Sequence, residues 1–443
     1  MRTKDEIRQE IISLVREYHQ AEQDTVKPFQ PGQRIPYCRR VYDEQERINL
    51  VDSALEFWLT AGRYCAQFEQ GLGAFLGVKH VAAVNSGSSA NLLAFMALTS
   101  PFLKERAIQR GDEVICVAAA FPTSVSPILQ YGAVPVFVDV KLGTYNIDVS
   151  MLEEALSEKT KCVFLAHTLG NPFDLRAVKS FCQKHGLWLI EDNCDALGAA
   201  YNMDGAFRKT GTIGDIGTSS FYPAHHITMG EGGAVYTNDD LLGRIIFSMR
   251  DWGRDCVCPP GADDTCGMRF AGRYGDLPRG YDHKYVYSHL GYNLKVTDMQ
   301  AAVGCAQLEK LEGFIEKRRD NWQFLRDALA DEEDRLVLPY KEDEAWPSWF
   351  GFLLTVREGI SREKVVEHLE KRGVQTRMLF SGNLLLHPCF DQLRRSGAGY
   401  RVVGELTNTD RIVNDTFWLG VYPGMTEEML NYMAETVKEG LRL

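Results

Sequence analysis

HVAAVNSGSSANLLAFMALT, residues 80–99, joins a short β-branched run to a helical one across small polar residues. HVAAVNSG reads as a strand with its turn, and SSANLLAFMALT as the helix behind it. The alternation continues outward along the chain. DEVICVAAA (112–120), VPVFVDV (134–140), KCVFLAHTL (161–169) and LWLIEDN (187–193) are apolar runs of strand length. SVSPILQYGA (124–133) and LRAVKSFCQKHG (175–186) fall between them with helical spacing, the second ending in Gly186, a helix stop signal. Strands alternating with helices predict an α/β domain with a mainly parallel sheet, whose site lies at the carboxyl ends of the strands.

Past about Leu308 the pattern changes. QLEKLEGFIEKRRDNWQFLRDAL (307–329) reads as one long amphipathic helix and SWFGFLLTV (348–356) as a strand. SREKVVEHLEKRG (361–373) is a helix bounded by Ser361 and Gly373, and the last helix starts at Thr426, with Glu427 and Glu428 at the positive end of its dipole. At the other terminus Ile7, Ile11, Leu14, Val15 and Tyr18 recur at helical spacing in a heavily charged stretch, an amphipathic helix rather than a signal peptide. A chain of 443 residues is too long for one simple core. The expected division is an N-terminal helical arm (1–60), a large α/β domain (61–307) and a small C-terminal α+β domain (308–443).

The net charge of −11 and the absence of a basic run give no support for nucleic-acid binding. No window approaches the roughly 18 uninterrupted apolar residues that a membrane helix needs. A cytoplasmic protein is expected. The eleven cysteines are odd in number, in a long chain without an export signal, so a disulfide framework is not expected.

Four stretches carry candidate chemistry. NSGSSAN (85–91) opens a helix with small residues and hydroxyls, which suits a phosphate and equally suits a serine-rich cap. LWLIEDNCDALG (187–198) ends a buried strand in an acidic pair. Buried acids are costly unless used or paired. Asp192 fits a partner for a protonated pyridine nitrogen, or a helix cap. SSFYPAHHITMGEGGAVYTND (219–239) sets a histidine pair between Ser-Phe-x-Pro and a Gly-Glu-Gly-Gly turn. DWGRDCVCPPGADDTCGMRF (251–270) supplies Cys256, Cys258 and Cys266 in a loop. With Cys194 they make four thiols, a ligand set that fits structural zinc as well as a [2Fe–2S] cluster.

Residues 219–239 resemble the sugar aminotransferases and dehydratases of the DegT/DnrJ/EryC1/StrS family, from about residue 40 to the C-terminus. The resemblance implies the fold-type I pyridoxal-phosphate architecture, like that of aspartate aminotransferase. It makes residues 61–307 the cofactor-binding domain. It implies that Ser88, Ser89 and Ser220 hold the cofactor phosphate, that Asp192 meets the ring nitrogen, and that Phe121 stacks on the ring. GYNLKVTDMQAAVG (291–304) matches a family segment in which the asparagine, here Asn293, reaches the partner subunit's cofactor phosphate, implying a homodimer.

Where the family places its cofactor-binding lysine, this chain has His225. An imidazole does not tether the cofactor but takes a proton near neutral pH. The expectation is therefore pyridoxamine 5'-phosphate bound non-covalently, His225 as catalytic base, and loss of the C3 hydroxyl from a nucleotide-diphosphate 4-keto sugar. Completing a deoxygenation needs two electrons, which a cluster relays and zinc does not. The cysteine pattern resembles that of the CDP-6-deoxy-L-threo-D-glycero-4-hexulose-3-dehydrases. This implies a [2Fe–2S] cluster on Cys194, Cys256, Cys258 and Cys266, fed by an NAD(P)H-dependent flavin or iron–sulfur reductase. The interval from Cys194 to Cys256 departs from that pattern in length, with the insertion expected in a loop around NMDGAFRKT (202–210). The alternatives are a TDP-4-keto-2,6-dideoxyhexose 3-dehydrase and a non-catalytic zinc-binding relative. His283, Tyr285, Tyr287 and His289 are expected at the active site or at the dimer interface.

Overall fold

The computed structural model describes residues 1–443 except Val26, Val257, residues 259–263 and Cys266. Eight strands form the principal sheet: β1 (His80–Val84), β2 (Glu113–Val117), β3 (Val134–Val138), β4 (Thr160–Ala166), β5 (Trp188–Asp192), β6 (Ile216–Ser220), β7 (Gly233–Thr237) and β8 (Arg401–Val402). Their order is β1-β7-β6-β5-β4-β2-β3-β8. The run from β6 to β8 is parallel throughout. Only β7 opposes its neighbours, β1 and β6. Every residue of β2, β5, β6 and β7 is buried. Strands covered on both faces read as largely apolar runs, as in EVICV and WLIED, while β6, IGTSS, is buried with small hydroxyl residues instead.

A second, antiparallel sheet is built from Leu336–Val337, Gly351–Val356, Thr416–Gly420 and Thr376–Arg377, in that order. Its core includes Phe352, Phe417 and Leu419, with the Trp322 and Trp349 rings stacked at 4.1 Å. The C-terminal part also returns to the principal sheet through β8, where Arg401 pairs with Glu113 at 2.7 Å. Ser361 and Thr426 cap their helices as expected, accepting from the Lys364 and Met429 N–H groups.

Two local expectations need correction. The helix read from Gln307 onward is two helices, Asp298–Leu308 and Leu311–Ala328. They meet where Lys310 turns to pair with Glu46 at 3.0 Å and Asp43 at 3.1 Å. The stretch around NMDGAFRKT is not a plain loop. Ala200–Met203 and Ala206–Lys209 form a hairpin through Asp204 and Gly205, both at positive φ, and Ala345–Trp346 adds a third strand. The hairpin's polar residues concealed it. Among the described residues no helix is long and apolar enough to cross a membrane.

Candidate active site

The carboxyl ends of β4, β5 and β6 open on a cavity of about 500 Å³, together with the first turn of the helix Gly87–Ala97. This is the size of an ordinary small-molecule site. The facing wall comes from distant segments: Tyr37, Phe350, Arg377 and Trp418.

One end is built for an anion. Ser86 caps the helix, its Oγ accepting the Ser89 N–H at 3.1 Å. Gly87 and Ser88 form the cavity wall, presenting the helix N-terminus and its positive dipole end. A Cβ on Gly87 would lie 2.4 Å from the Ser220 Cβ and 2.8 Å from its Oγ, so glycine is what lets Ser220 close on the turn. Gly233 answers a similar demand, since a Cβ there would lie 2.4 Å from the Ser86 carbonyl oxygen. The structure thus brings Ser88 and Ser220 to the cavity. Ser89 is set back from it, with its Oγ accepting from Ser86 Oγ at 3.1 Å.

At the end of β5 the acidic pair divides. Glu191 is wholly buried; it bonds His167 at 2.9 Å and accepts the Gly211 and Ile213 N–H groups at 2.7 and 2.8 Å. Burial alone would raise its carboxyl, but His167 and the backbone donors outweigh that and hold it below the usual range. Asp192 faces the cavity instead. Its Oδ2 accepts from Asn91 Nδ2 at 2.8 Å and Ser124 Oγ at 2.7 Å, and its Oδ1 from the Cys194 N–H at 3.1 Å. Asn91 is fixed in turn, its Oδ1 accepting from Thr218 Oγ1 at 2.7 Å. Among the described residues the carboxylate is oriented by neutral donors, without a cation paired to it.

The histidine pair also divides. His226 is buried away from the cavity and donates from Nε2 to the Ser348 carbonyl at 2.9 Å. Burial, with Arg318 nearby, holds its imidazole well below the usual pKa, so it is neutral and structural. His225 lies in the cavity wall beside the Phe350 ring. Its Nδ1 lies 3.2 Å from Asp195 Oδ1, within ion-pair reach but off the line of a hydrogen bond. No lysine lines the cavity among the described residues.

Phe121 is half exposed on the cavity wall, edge-on to Phe380 at 6.3 Å. Asn293 is exposed and lies outside its own chain's cavity wall, accepting from Lys295 Nζ at 2.7 Å. Cys194 is in the wall, where a Cβ on Gly87 would lie 3.1 Å from its Sγ. Burial, then Asp192 and Asp195, push its thiol well above the ordinary range. Cys256 and Cys258 are half-buried, and Cys266 lies outside the described residues. Among the described residues no group of three or more histidine, cysteine or acidic side chains is gathered for a metal. The described thiols alone therefore do not assemble a cluster site. The aromatic stretch after it does not reach the cavity of its own chain: His283 pairs with Asp255 at 2.7 Å, His289 bonds Ser100 and Ser248, and Tyr285 and Tyr287 are exposed.

Sequence reasoning did not single out Asn91, Ser124, Thr218 and Asp195. A polar Asn91 within the apolar run NLLAFMAL was the available signal, as was Asp195, three residues beyond Asp192.

The residues fit pyridoxamine phosphate: an oriented carboxylate for a ring nitrogen, a helix N-terminus with two hydroxyls for a phosphate, and no lysine to tether it. The lipopolysaccharide biosynthesis protein RfbH of Salmonella typhimurium is 53% identical over 440 residues, covering 99% of this chain and 98% of that one. A dTDP-4-dehydro-2,6-dideoxy-D-glucose 3-dehydratase of Saccharopolyspora spinosa is 48% identical, covering 97% and 91%. The structure of the E. coli GDP-4-keto-6-deoxy-D-mannose-3-dehydratase with bound hydrated PLP superposes with a TM-score of 0.80 at 29% identity, covering 91% and 98%. The fold is the fold-type I, aminotransferase-like architecture. The profile of the DegT/DnrJ/EryC1/StrS aminotransferase family matches residues 41–438, and the chain belongs to that family.

Proposed function

We propose that the protein is a pyridoxamine-phosphate-dependent 3-dehydratase acting on a nucleotide-linked 4-keto-6-deoxyhexose, CDP-4-keto-6-deoxy-D-glucose, in 3,6-dideoxysugar biosynthesis. The observation that carries this reading is an intact cofactor cradle with His225 in place of a tethering lysine. Two features support it: relatives at 48% and 31% identity bear the names of 3-dehydratases of nucleotide-linked keto sugars, and the cysteine pattern resembles that of the CDP-sugar enzymes.

Asp192 would keep the ring nitrogen protonated, the helix N-terminus with Ser88, Ser89 and Ser220 would hold the phosphate, and Phe121 would cover the ring face. Bound there, the cofactor supplies an amine that condenses with the C4 ketone and a ring that accepts the electron pair. His225 takes the proton from the C4′ carbon. Asp195, within ion-pair reach of Nδ1 at 3.2 Å, would help to hold the ring in place. The walls at Phe350 and Trp418 limit water at the reacting carbon.

The finer reading adds a [2Fe–2S] cluster on Cys194, Cys256, Cys258 and Cys266, an NAD(P)H-dependent flavin or iron–sulfur reductase as electron donor, a cytoplasmic location and a homodimer. The position of Cys194 in the cavity wall supports the first. An apolar groove between Ile11, Leu14, Tyr18 and Leu50, and Asn293 lying outside its own cavity, support the last. A second reading, a TDP-4-keto-2,6-dideoxyhexose 3-dehydrase, is favoured by the Saccharopolyspora relative's name. The test is a visible spectrum of anaerobically purified protein before and after dithionite, with iron and zinc assayed on the same sample. Iron-linked bands that bleach support the reductive reading. A colourless zinc protein sinks it and leaves a redox-neutral dehydratase or a non-catalytic relative. Turnover of CDP- against dTDP-linked 4-keto sugars separates the two substrates.

A further inference from the structure

The cavity wall that faces Asp192 carries a charge outside the cradle proposed for the cofactor. Arg377 is the one arginine or lysine among the described residues that line the cavity, against three acids, Asp192, Asp195 and Glu231. It is half-buried, and its recorded partners are neutral. Its guanidinium lies over the Tyr37 ring at 4.0 Å, and Nη1 donates to the Thr376 carbonyl at 2.7 Å. Among the described residues no carboxylate pairs with it. The backbone beneath is held on both sides. Arg377 pairs with Trp418 across the sheet, and the Trp418 indole donates to the Met378 carbonyl at 3.0 Å.

A half-buried guanidinium whose contacts are an aromatic ring and a backbone carbonyl has donors left for an anionic guest. The guanidinium fork has five N–H donors, of which Thr376 takes one. What remains suits bidentate capture of a phosphate. The cofactor's own phosphate has its berth at Ser88 and Ser220, on the helix N-terminus. The second anion must then come with the substrate. We infer that Arg377 docks the diphosphate of the nucleotide-linked sugar, an assignment that rests on the nucleotide-sugar reading of the site. Tyr37 is its platform, and Trp418 offers an apolar face beside it for the attached sugar or base.

The test is isothermal calorimetry on the pyridoxamine-phosphate-loaded protein, titrated with CDP and with dTDP, for the wild type, Arg377→Met and Arg377→Lys. Loss of a charge-assisted pair is expected to weaken binding of the preferred nucleotide about 10- to 100-fold in Arg377→Met, with partial recovery in Arg377→Lys. Affinity for pyridoxamine phosphate, followed by absorbance without nucleotide, should stay within about twofold, because its phosphate sits at a separate helix terminus. Unchanged nucleotide binding in both variants would overturn the assignment. An equal loss of cofactor affinity would also overturn it, placing Arg377 in the cofactor site. Should the wild type bind neither nucleotide, the nucleotide-sugar reading itself fails and the assignment falls with it. Arg377→Lys keeps the charge and the backbone, so it stays informative if the methionine variant melts early.

Discussion

Replacing Asp192 by asparagine removes a charge and almost no volume, so its effect isolates the ion pair proposed for the cofactor's ring nitrogen. The neighbours decide how badly an amide fits. Oδ2 accepts from Asn91 at 2.8 Å and Ser124 at 2.7 Å, while Oδ1 accepts the Cys194 N–H at 3.1 Å. With the amide oxygen in the place of Oδ2, the new NH₂ confronts the Cys194 N–H. Turned round, it confronts the Asn91 NH₂, and Asn91 cannot flip in compensation without losing its bond from Thr218 at 2.7 Å. Either way one donor faces another. The lost charge-assisted bond is worth about 1.5–3 kcal/mol, roughly 10- to 150-fold in the dissociation constant. Turnover should fall further, because the protonated ring nitrogen is what makes the ring an electron sink. The assay titrates pyridoxamine phosphate into cofactor-free protein by absorbance, then measures single-turnover dehydration. A variant that melts like the wild type, binds cofactor within about threefold and keeps its turnover would refute the ring-nitrogen role, since the smallest loss expected here is about tenfold.

Asp195→Asn should lower kcat about 100-fold while leaving pyridoxamine-phosphate affinity nearly unchanged, because it acts on the orientation of His225 and not on the cradle; equal losses in both would place it in the cofactor site. His225→Lys should abolish dehydration and allow borohydride to trap the cofactor covalently, whereas full retained dehydration would end the base assignment. Glu191 is held below the ordinary carboxyl value, so its contribution to stability is complete above about pH 4.3 and is lost as pH falls through the lower folded value. Glu191→Gln should flatten that acid limb and cost about 3–5 kcal/mol at neutral pH, read from urea melts at several pH values; an unchanged acid limb would contradict the pairing. His226 is depressed instead, so its contribution is complete above about pH 6.5 and declines below it by up to about 1.4 kcal/mol per pH unit. His226→Asn should remove that slope, and a slope that persists would mean another group titrates there.

The first five strands of the principal sheet were legible because burial on both faces leaves an apolar run, as in EVICV and WLIED; IGTSS and the two-residue strand Arg401–Val402 leave none. The hairpin at 200–209 was not, since Asn202, Arg208 and the exposed Phe207 give neither alternation nor an apolar run. One continuous apolar stripe likewise hid the break at Lys310 between two helices. Of the site, the half built on strand ends and one helix start could be read locally, because phosphate turn, acid and histidine each sit at a boundary that sequence marks. The opposite wall could not. Tyr37, Phe350, Arg377 and Trp418 meet only through the second sheet, over separations that no local pattern encodes.

The histidine pair shows where the two kinds of legibility meet. Side by side in the sequence, His225 and His226 offer the same chemistry, and spacing does not rank them. After β6 the chain turns, so consecutive side chains leave in different directions. His226 goes into the protein, where the Ser348 carbonyl accepts its Nε2–H and burial keeps it neutral. His225 goes into the cavity beside Asp195, whose Oδ1 lies 3.2 Å from its Nδ1. Arg318 braces the turn from behind, donating to the His225 carbonyl at 3.2 Å, and the Ser348 bond anchors the next residue. The base role proposed for His225, toward a cofactor held by nothing covalent, would need a backbone that does not drift. The second histidine and the buried arginine supply that rigidity, which gives the apparently redundant imidazole a purpose distinct from proton transfer.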